Sequence, residues 1–188
     1  TGATSGATAV ITRVMLETGT FAAGTAAGRL IFASQTGTFQ AENLDVGANL
    51  NVATIAGNSS AITLAAGGRL EHVVANFGGS VNTNRVYGAD GANRGFEFDG
   101  TVYCPISTGM TSDLPLHVTA HKNQLFFSFG GSVQHSAPGT PYIWSAVIGA
   151  SEIGMGDTVT GFKPQPGSET SGALAIFTRN RTSVLYGT

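Results

Sequence analysis

A chain of 188 residues with 11% charged side chains, a formal charge of −2 and 27 glycines departs from an ordinary soluble domain, where charged residues approach roughly 25%. So little charge suits a protein that hides much of its surface against other chains, and 41% apolar residues are enough for a core. The sequence has no basic stripe for sequence-independent phosphate binding, no apolar run long enough for a membrane-spanning helix and no secretory leader pattern, and Cys104, the single cysteine, excludes an internal disulfide and fits intracellular assembly.

In chain order, residues 1–12 are small and uncharged and are expected to be a linker or incoming segment. Residues 13–66 are expected to form a small antiparallel β module, in the manner of an insertion. Gly19-Thr-Phe21 returns as Gly37-Thr-Phe39, with the β-branched and aromatic run Arg29-Leu-Ile-Phe-Ala between them. Asn43-Leu-Asp-Val-Gly and Leu50-Asn-Val-Ala-Thr-Ile55 follow, the second alternating as a strand with one buried face does.

From residue 67 onward the hairpins lengthen. Expected strands are Leu70 to Phe77, Arg85 to Tyr87, Gly95 to Phe98, Thr101 to Cys104, Leu116 to Ala120, Leu125 to Phe129, Ser132 to Ser136, Thr158 to Phe162, Ala173 to Thr178 and Thr182 to Tyr186. Asp99-Gly100, Gly130-Gly131 and Arg179-Asn-Arg181 supply turns. Leu125, Phe127 and Phe129 would share one face of a strand and Phe126 the other, which predicts an inner strand packed between two sheets. No span shows a sustained helical period with caps, so helix should be scarce. The fold class is all-β. The many short glycine-punctuated strands of residues 67–188 predict a partial β-propeller.

Chemistry-bearing residues are few. His117 and His121 are four apart and would project to one face of a regular strand, but no third metal ligand is identifiable, with His72 and His135 distant in sequence. Asp90, Asn93, Glu97 and Asp99 could offer oxygen ligands to calcium, yet the spacing of a calcium-binding loop is absent and Asp-Gly turns account for them better. Cys104 reads as a small core residue. Ser136-Ala-Pro-Gly-Thr-Pro-Tyr-Ile-Trp144 resembles the Asp-box of sialidase propellers, with Pro138 in place of the aspartate, and the arginines are scattered rather than clustered as sialidase chemistry needs. No catalytic, cofactor-binding or metal residue is assigned, and no enzyme activity is expected.

The segments Arg85-Val-Tyr-Gly-Ala-Asp-Gly, Phe96-Glu-Phe-Asp-Gly-Thr, His121-Lys-Asn-Gln-Leu-Phe-Phe, Ser136 to Trp144, Gly156-Asp-Thr-Val-Thr-Gly and Ala175-Ile-Phe-Thr-Arg-Asn together resemble strand-turn signatures of large β-propeller proteins in phage virions. These are the tail-nozzle, tail-tube and packaged-DNA stabilisation proteins of short-tailed phages. The resemblance covers residues 67–188. The module of residues 13–66 resembles Gly-Thr-Phe/Trp repeats of phage structural proteins. The resemblance implies a structural virion subunit, assembled in the host cytoplasm into a ring with copies of itself and with other tail or portal proteins, around a lumen that retains and then passes DNA. Non-specific contact with DNA in the channel and absence of membrane insertion belong to the same expectation. The alternative is a receptor- or glycan-binding tail module, which a grooved aromatic patch near Tyr142 and Trp144 would favour. The missing starting Met and the final apolar run Val184-Leu-Tyr-Gly-Thr188 carry the expectation of a piece of a larger protein, unstable or aggregating on its own.

Overall fold

The computed structural model describes residues 1–80, 82–166 and 172–186. Among them the protein is all-β. Fifteen strands form five antiparallel sheets, and the only helical element is a single 3-10 turn at Ala146–Ile148. The chain divides into two compact units, residues 1–15 with 28–64, and residues 16–27 with 65–188.

The first unit contains residues 8–15 and 28–36 of the paired strands β1 (Thr8–Thr18) and β2 (Ala27–Thr36), and the hairpin β3 (Glu42–Val46) with β4 (Asn49–Ile55). Part of the segment expected to be a linker is ordered into this unit. Gly2 bridges Leu44, the amide of Asp45 donates to the Thr1 carbonyl, and β1 begins at Thr8. The reason is local. Thr, Val and Ile are strand formers, and the run Thr8-Ala-Val-Ile-Thr12 is rich in them despite its lack of charge. The Gly-Thr-Phe echo splits by environment. Both glycines take a positive φ, 69° at Gly19 and 76° at Gly37. Phe39, however, is buried and lies 6.2 Å from Phe32, whereas Phe21 is exposed.

In the second unit three consecutive meanders follow the chain. The first sheet runs β5 (Glu71–Ala75), β6 (Arg85–Ala89), β7 (Phe96–Phe98), β8 (Tyr103–Pro105). The second runs β9 (Val118–His121), β10 (Gln124–Phe129), β11 (Ser132–His135), β12 (Ser151–Gly154). The third runs β13 (Val159–Pro164), β14 (Leu174–Thr178), β15 (Thr182–Leu185). β12 is the strand the sequence pattern does not reveal. Ser151-Glu-Ile-Gly has one apolar residue, and its pairing with β11, Val133 opposite Ile153, is what makes it a strand. Gly187 and Thr188, the end of the expected terminal strand, lie outside the described residues.

The three sheets pack face on face, and β10 is the element between two layers. Leu125 and Phe127 join Tyr87, Ala89, Ile106 and Val118 in a core against the first sheet. Phe126, one residue out of phase, joins Val133, Met155, Val159, Leu174 and Ile176 against the third. Successive strand side chains point to opposite faces, so a strand with large apolar residues in both phases can serve two cores. The first strands of the sheets are neighbours, with β9 lying against both β5 and β13. The turn joining β9 to β10 is Lys122-Asn123, at φ 48° and 57°. Two positive φ values suit the twist of a two-residue hairpin, and Lys at the first is costly, since an L residue pays roughly 1–2 kcal/mol in this region.

Candidate functional site

The tightest polar cluster lies inside the first core. Tyr87, Glu97 and Cys104 are cross-strand neighbours on one face of the first sheet. The Tyr87 hydroxyl donates to Glu97 Oε2 at 3.0 Å, and Arg85 Nε stands 3.7 Å from Oε1. The Tyr142 hydroxyl is buried beside the same carboxylate, and burial, then Glu97, pushes its phenol well up. A carboxylate only 3% exposed is more tolerable with the Tyr87 hydroxyl and the Arg85 guanidinium in place of water. The cluster ties the 137–145 loop to the first sheet. Trp144 holds the same loop to the second sheet by stacking on Phe127, centroids 5.4 Å apart at 13°, and its Nε1 donates to the Pro141 carbonyl within the loop.

The acidic residues weighed for calcium are separated by these roles. Asp90 accepts the amides of Ala92 and Asn93 and the Asn93 side chain. Asp99 accepts the amides of Thr101 and Val102. Both are turn-capping carboxylates, and Glu97 faces the core. Cys104 is buried beneath that core.

His117 and His121 do project to one face of their strand, with His117 edge-on to Phe162 and His121 edge-on to Phe126. Their chemistry differs. His117 Nδ1 is 2.9 Å from Glu71 Oε2, and Arg69 stands 3.1 Å from the other oxygen, so a three-member polar chain links the residue before β9 to the start of β5. The Nε2 of His121 is buried without a partner among the described residues. Burial, then the neighbouring Lys122, lowers its pKa, which keeps the ring neutral. Among the described residues no three His, Cys, Asp or Glu side chains converge as a metal cage. The buried serines serve the backbone: Ser128 Oγ accepts the His117 amide and Ser136 Oγ accepts the Leu125 amide.

Two clefts remain. The larger, about 260 Å³, opens where β5, β9 and β13 end, and is walled by Asn76, Phe77, His121, Lys122, Asn123 and Gln165 among others. Among the described residues its one charged lining residue is Lys122, beside the amides of Asn76, Asn123 and Gln165. The smaller, about 190 Å³, lies beside Trp144, with Gln134, His135, Glu152 and Thr108 in its wall. Gln124 Nε2 donates to the Ser136 carbonyl at 2.9 Å and stands 2.9 Å from His135 Nδ1, which fixes that ring against the cleft wall. Neither cleft is legible in the sequence, because each is assembled from three or more separate strand ends and loops. The Tyr87–Glu97 pair does have a signal: both sit at alternating positions of adjacent expected strands.

No protein-family model, no curated protein and no solved structure matches the chain.

Proposed function

We propose that the chain is a structural subunit of a phage tail conduit, a nozzle or tube that retains packaged DNA and then lets it pass, and that residues 67–188 form part of a β-propeller. The observation that carries this reading is the chain-ordered stack. Three antiparallel meanders pack face to face with their first strands adjacent, the arrangement that successive propeller blades adopt around a hub. The role is mechanical. Rigid sheets make the wall, loops contact neighbouring copies and other tail or portal proteins, and DNA passes without sequence-specific contacts. The low charge fits a subunit covered by such contacts.

Immunogold labelling of the parent phage with antibody against this chain tests the proposal. Label confined to the tail or portal vertex is the expected result. Label on the capsid shell, or a protein that never enters the virion, overturns it.

A second reading is favoured by one observation, the cleft beside Trp144. An aromatic wall with an amide, an imidazole and a carboxylate within about 190 Å³ is the kind of surface that holds a sugar ring in a glycan-binding tail module. Glycan-array binding lost on Trp144→Ala would favour it over the conduit.

A further inference from the structure

The cleft where β5, β9 and β13 end combines features that a purely mechanical role does not use. It encloses about 260 Å³, below the roughly 300–1,000 Å³ of sites for drug-sized ligands, which suits a single sugar-sized ring. Part of its wall is apolar, with Val74, Pro164 and Phe77, and the Phe77 ring is held edge-on to Tyr87 at 5.1 Å. The β9–β10 turn supplies Lys122 and Asn123, and the Gly139 amide anchors that turn by donating to the Asn123 carbonyl at 2.7 Å. Lys122 holds a left-handed backbone at φ 48°, a conformation that favours Gly or Asn, so backbone preference does not account for a lysine there. Asn76 is occupied within its own loop, where its side chain donates to the Ser80 carbonyl and accepts the Gly79 amide and the Thr83 hydroxyl. By contrast, the side chains of Lys122, Asn123 and Gln165 make no hydrogen bond or ion pair among the described residues. His121, 9% exposed, lies in the same wall, and its Nε2 has no partner among the described residues. A buried unpaired nitrogen is unfavourable, and turning a ring nitrogen toward a ligand breaks no bond at Nε2.

We propose that this cleft binds a single acidic sugar, a pyranose carrying one carboxylate, with the carboxylate at Lys122, the hydroxyls at Asn123, Gln165 and the His121 ring, and the C–H face against Phe77 and Pro164. Charge sets the class. Among the described residues the wall holds one cation and no carboxylate. Burial first, and then Lys122, lowers the His121 pKa and keeps that ring neutral. One carboxylate balances Lys122, whereas a phosphate dianion would bring a second charge with no partner. Side-chain amides and a neutral imidazole each both donate and accept, as sugar hydroxyls do. An apolar wall with a few polar groups that fix orientation is the usual build of a small-molecule site. This cleft shares no lining residue with the one beside Trp144, and its occupancy depends on neither the conduit nor the propeller.

The test is an NMR titration of the full chain with D-glucuronate, and with D-glucose, glucose 6-phosphate and acetate as comparisons. Glucuronate is expected to move the His121 ring resonances in a saturable way with a millimolar Kd. The indole N–H of Trp144, the single tryptophan, is expected to stay in place. Glucose and acetate should each bind more weakly, one lacking the charge and the other the hydroxylated ring. Lys122→Asn removes the cation and suits the left-handed turn. It is expected to weaken glucuronate about fivefold, the upper worth of a partly exposed charge pair, and to leave glucose unchanged. Should circular dichroism show that this variant loses its β spectrum, added salt makes the same distinction on the parent chain, because it screens a partly exposed ion pair and not a neutral sugar. A glucuronate-containing oligosaccharide that also moves His121 marks a glycan as the source of the ligand, and one that is excluded marks the free sugar acid. No shift at His121, a shift at Trp144 instead, glucose or acetate binding as well as glucuronate, tighter binding of glucose 6-phosphate, or indifference to both Lys122→Asn and salt overturns the proposal.

Discussion

The two compact units are made of the same material and stabilised in different ways. Both are glycine-rich antiparallel hairpins. In the first, the sheets have only two strands each, and most of their apolar side chains stay at the surface, with Val10, Leu50 and Val52 exposed. Its most heavily hydrogen-bonded side chain is a buried carboxylate. Glu42 accepts the Ser5 hydroxyl at 2.6 Å and the amides of Thr4, Ser5 and Gln40. In the second unit, sheets of three and four strands cover one another and bury Phe126, Phe127, Leu125 and Leu174 almost completely. A two-stranded ribbon has too little area to exclude water on its own, so hydrogen bonds to one charged group hold its chain in place. Layered sheets can rely on apolar contact.

The comparison breaks first at Phe127. This ring is fully buried, stacks on Trp144, and lies where a Cβ on Gly95 would strike it. Phe127→Ala is expected to cost about 3–5 kcal/mol, measured by urea denaturation, and a loss under ~1 kcal/mol would mean that the first and second sheets do not depend on each other. Next is the buried carboxylate of the same core. Glu97→Ala removes the carboxylate to which the Tyr87 hydroxyl donates and which Arg85 faces, and is expected to cost about 3 kcal/mol. Glu97→Ala combined with Tyr87→Phe should cost less than the two single losses added together.

Glu42 sharpens the contrast through pH. The Ser5 hydroxyl first, and then the surrounding amides against the opposing effect of burial, lower its pKa to about 2. A depressed carboxylate stabilises the fold above its unfolded value and loses that contribution as pH falls through the folded one. Glu42→Gln is therefore expected to lower the melting temperature of the first unit at pH 7, with the gap from the parent closing between about pH 4.5 and pH 2. A pH-independent gap would show that the side chain acts by packing alone. The smallest effect is expected at the β9–β10 turn. Lys122→Gly relieves a left-handed lysine but gains chain entropy in the unfolded state, so stability should rise by no more than about 1 kcal/mol. A clear loss would mean that the Lys122 side chain, which faces the cleft at the ends of β5, β9 and β13, holds the turn.

Much of the strand pattern was legible, and particular residues explain why. Leu125-Phe-Phe-Ser-Phe129 announces a two-faced inner strand because side-chain phase in a strand is a purely local property. Asp99-Gly100 announces its hairpin because the Asp side chain caps amides two and three residues ahead. β1 and β12 were not legible as strands. One begins in a stretch whose small residues suit a linker equally well, and the other depends on its partner β11. The candidate sites were hardly legible. Nothing in spacing ties Glu71 to His117, 46 residues away, or brings Trp144 beside Glu152.

The sequence by itself determined the secondary-structure class, the phase of the apolar residues along β10 and the places of the turns, since these depend on backbone preferences and alternation within a few residues. Only the tertiary structure decided which sheet each face meets, that Glu97 is a core residue, that His117 is paired with Glu71 while the buried Nε2 of His121 has no partner among the described residues, and that Phe177 is left uncovered where Tyr87 and Phe126 are enclosed. Those outcomes depend on which strands come to lie side by side, and hydrophobic burial and charge pairing act between whatever surfaces meet, with no memory of their separation along the chain.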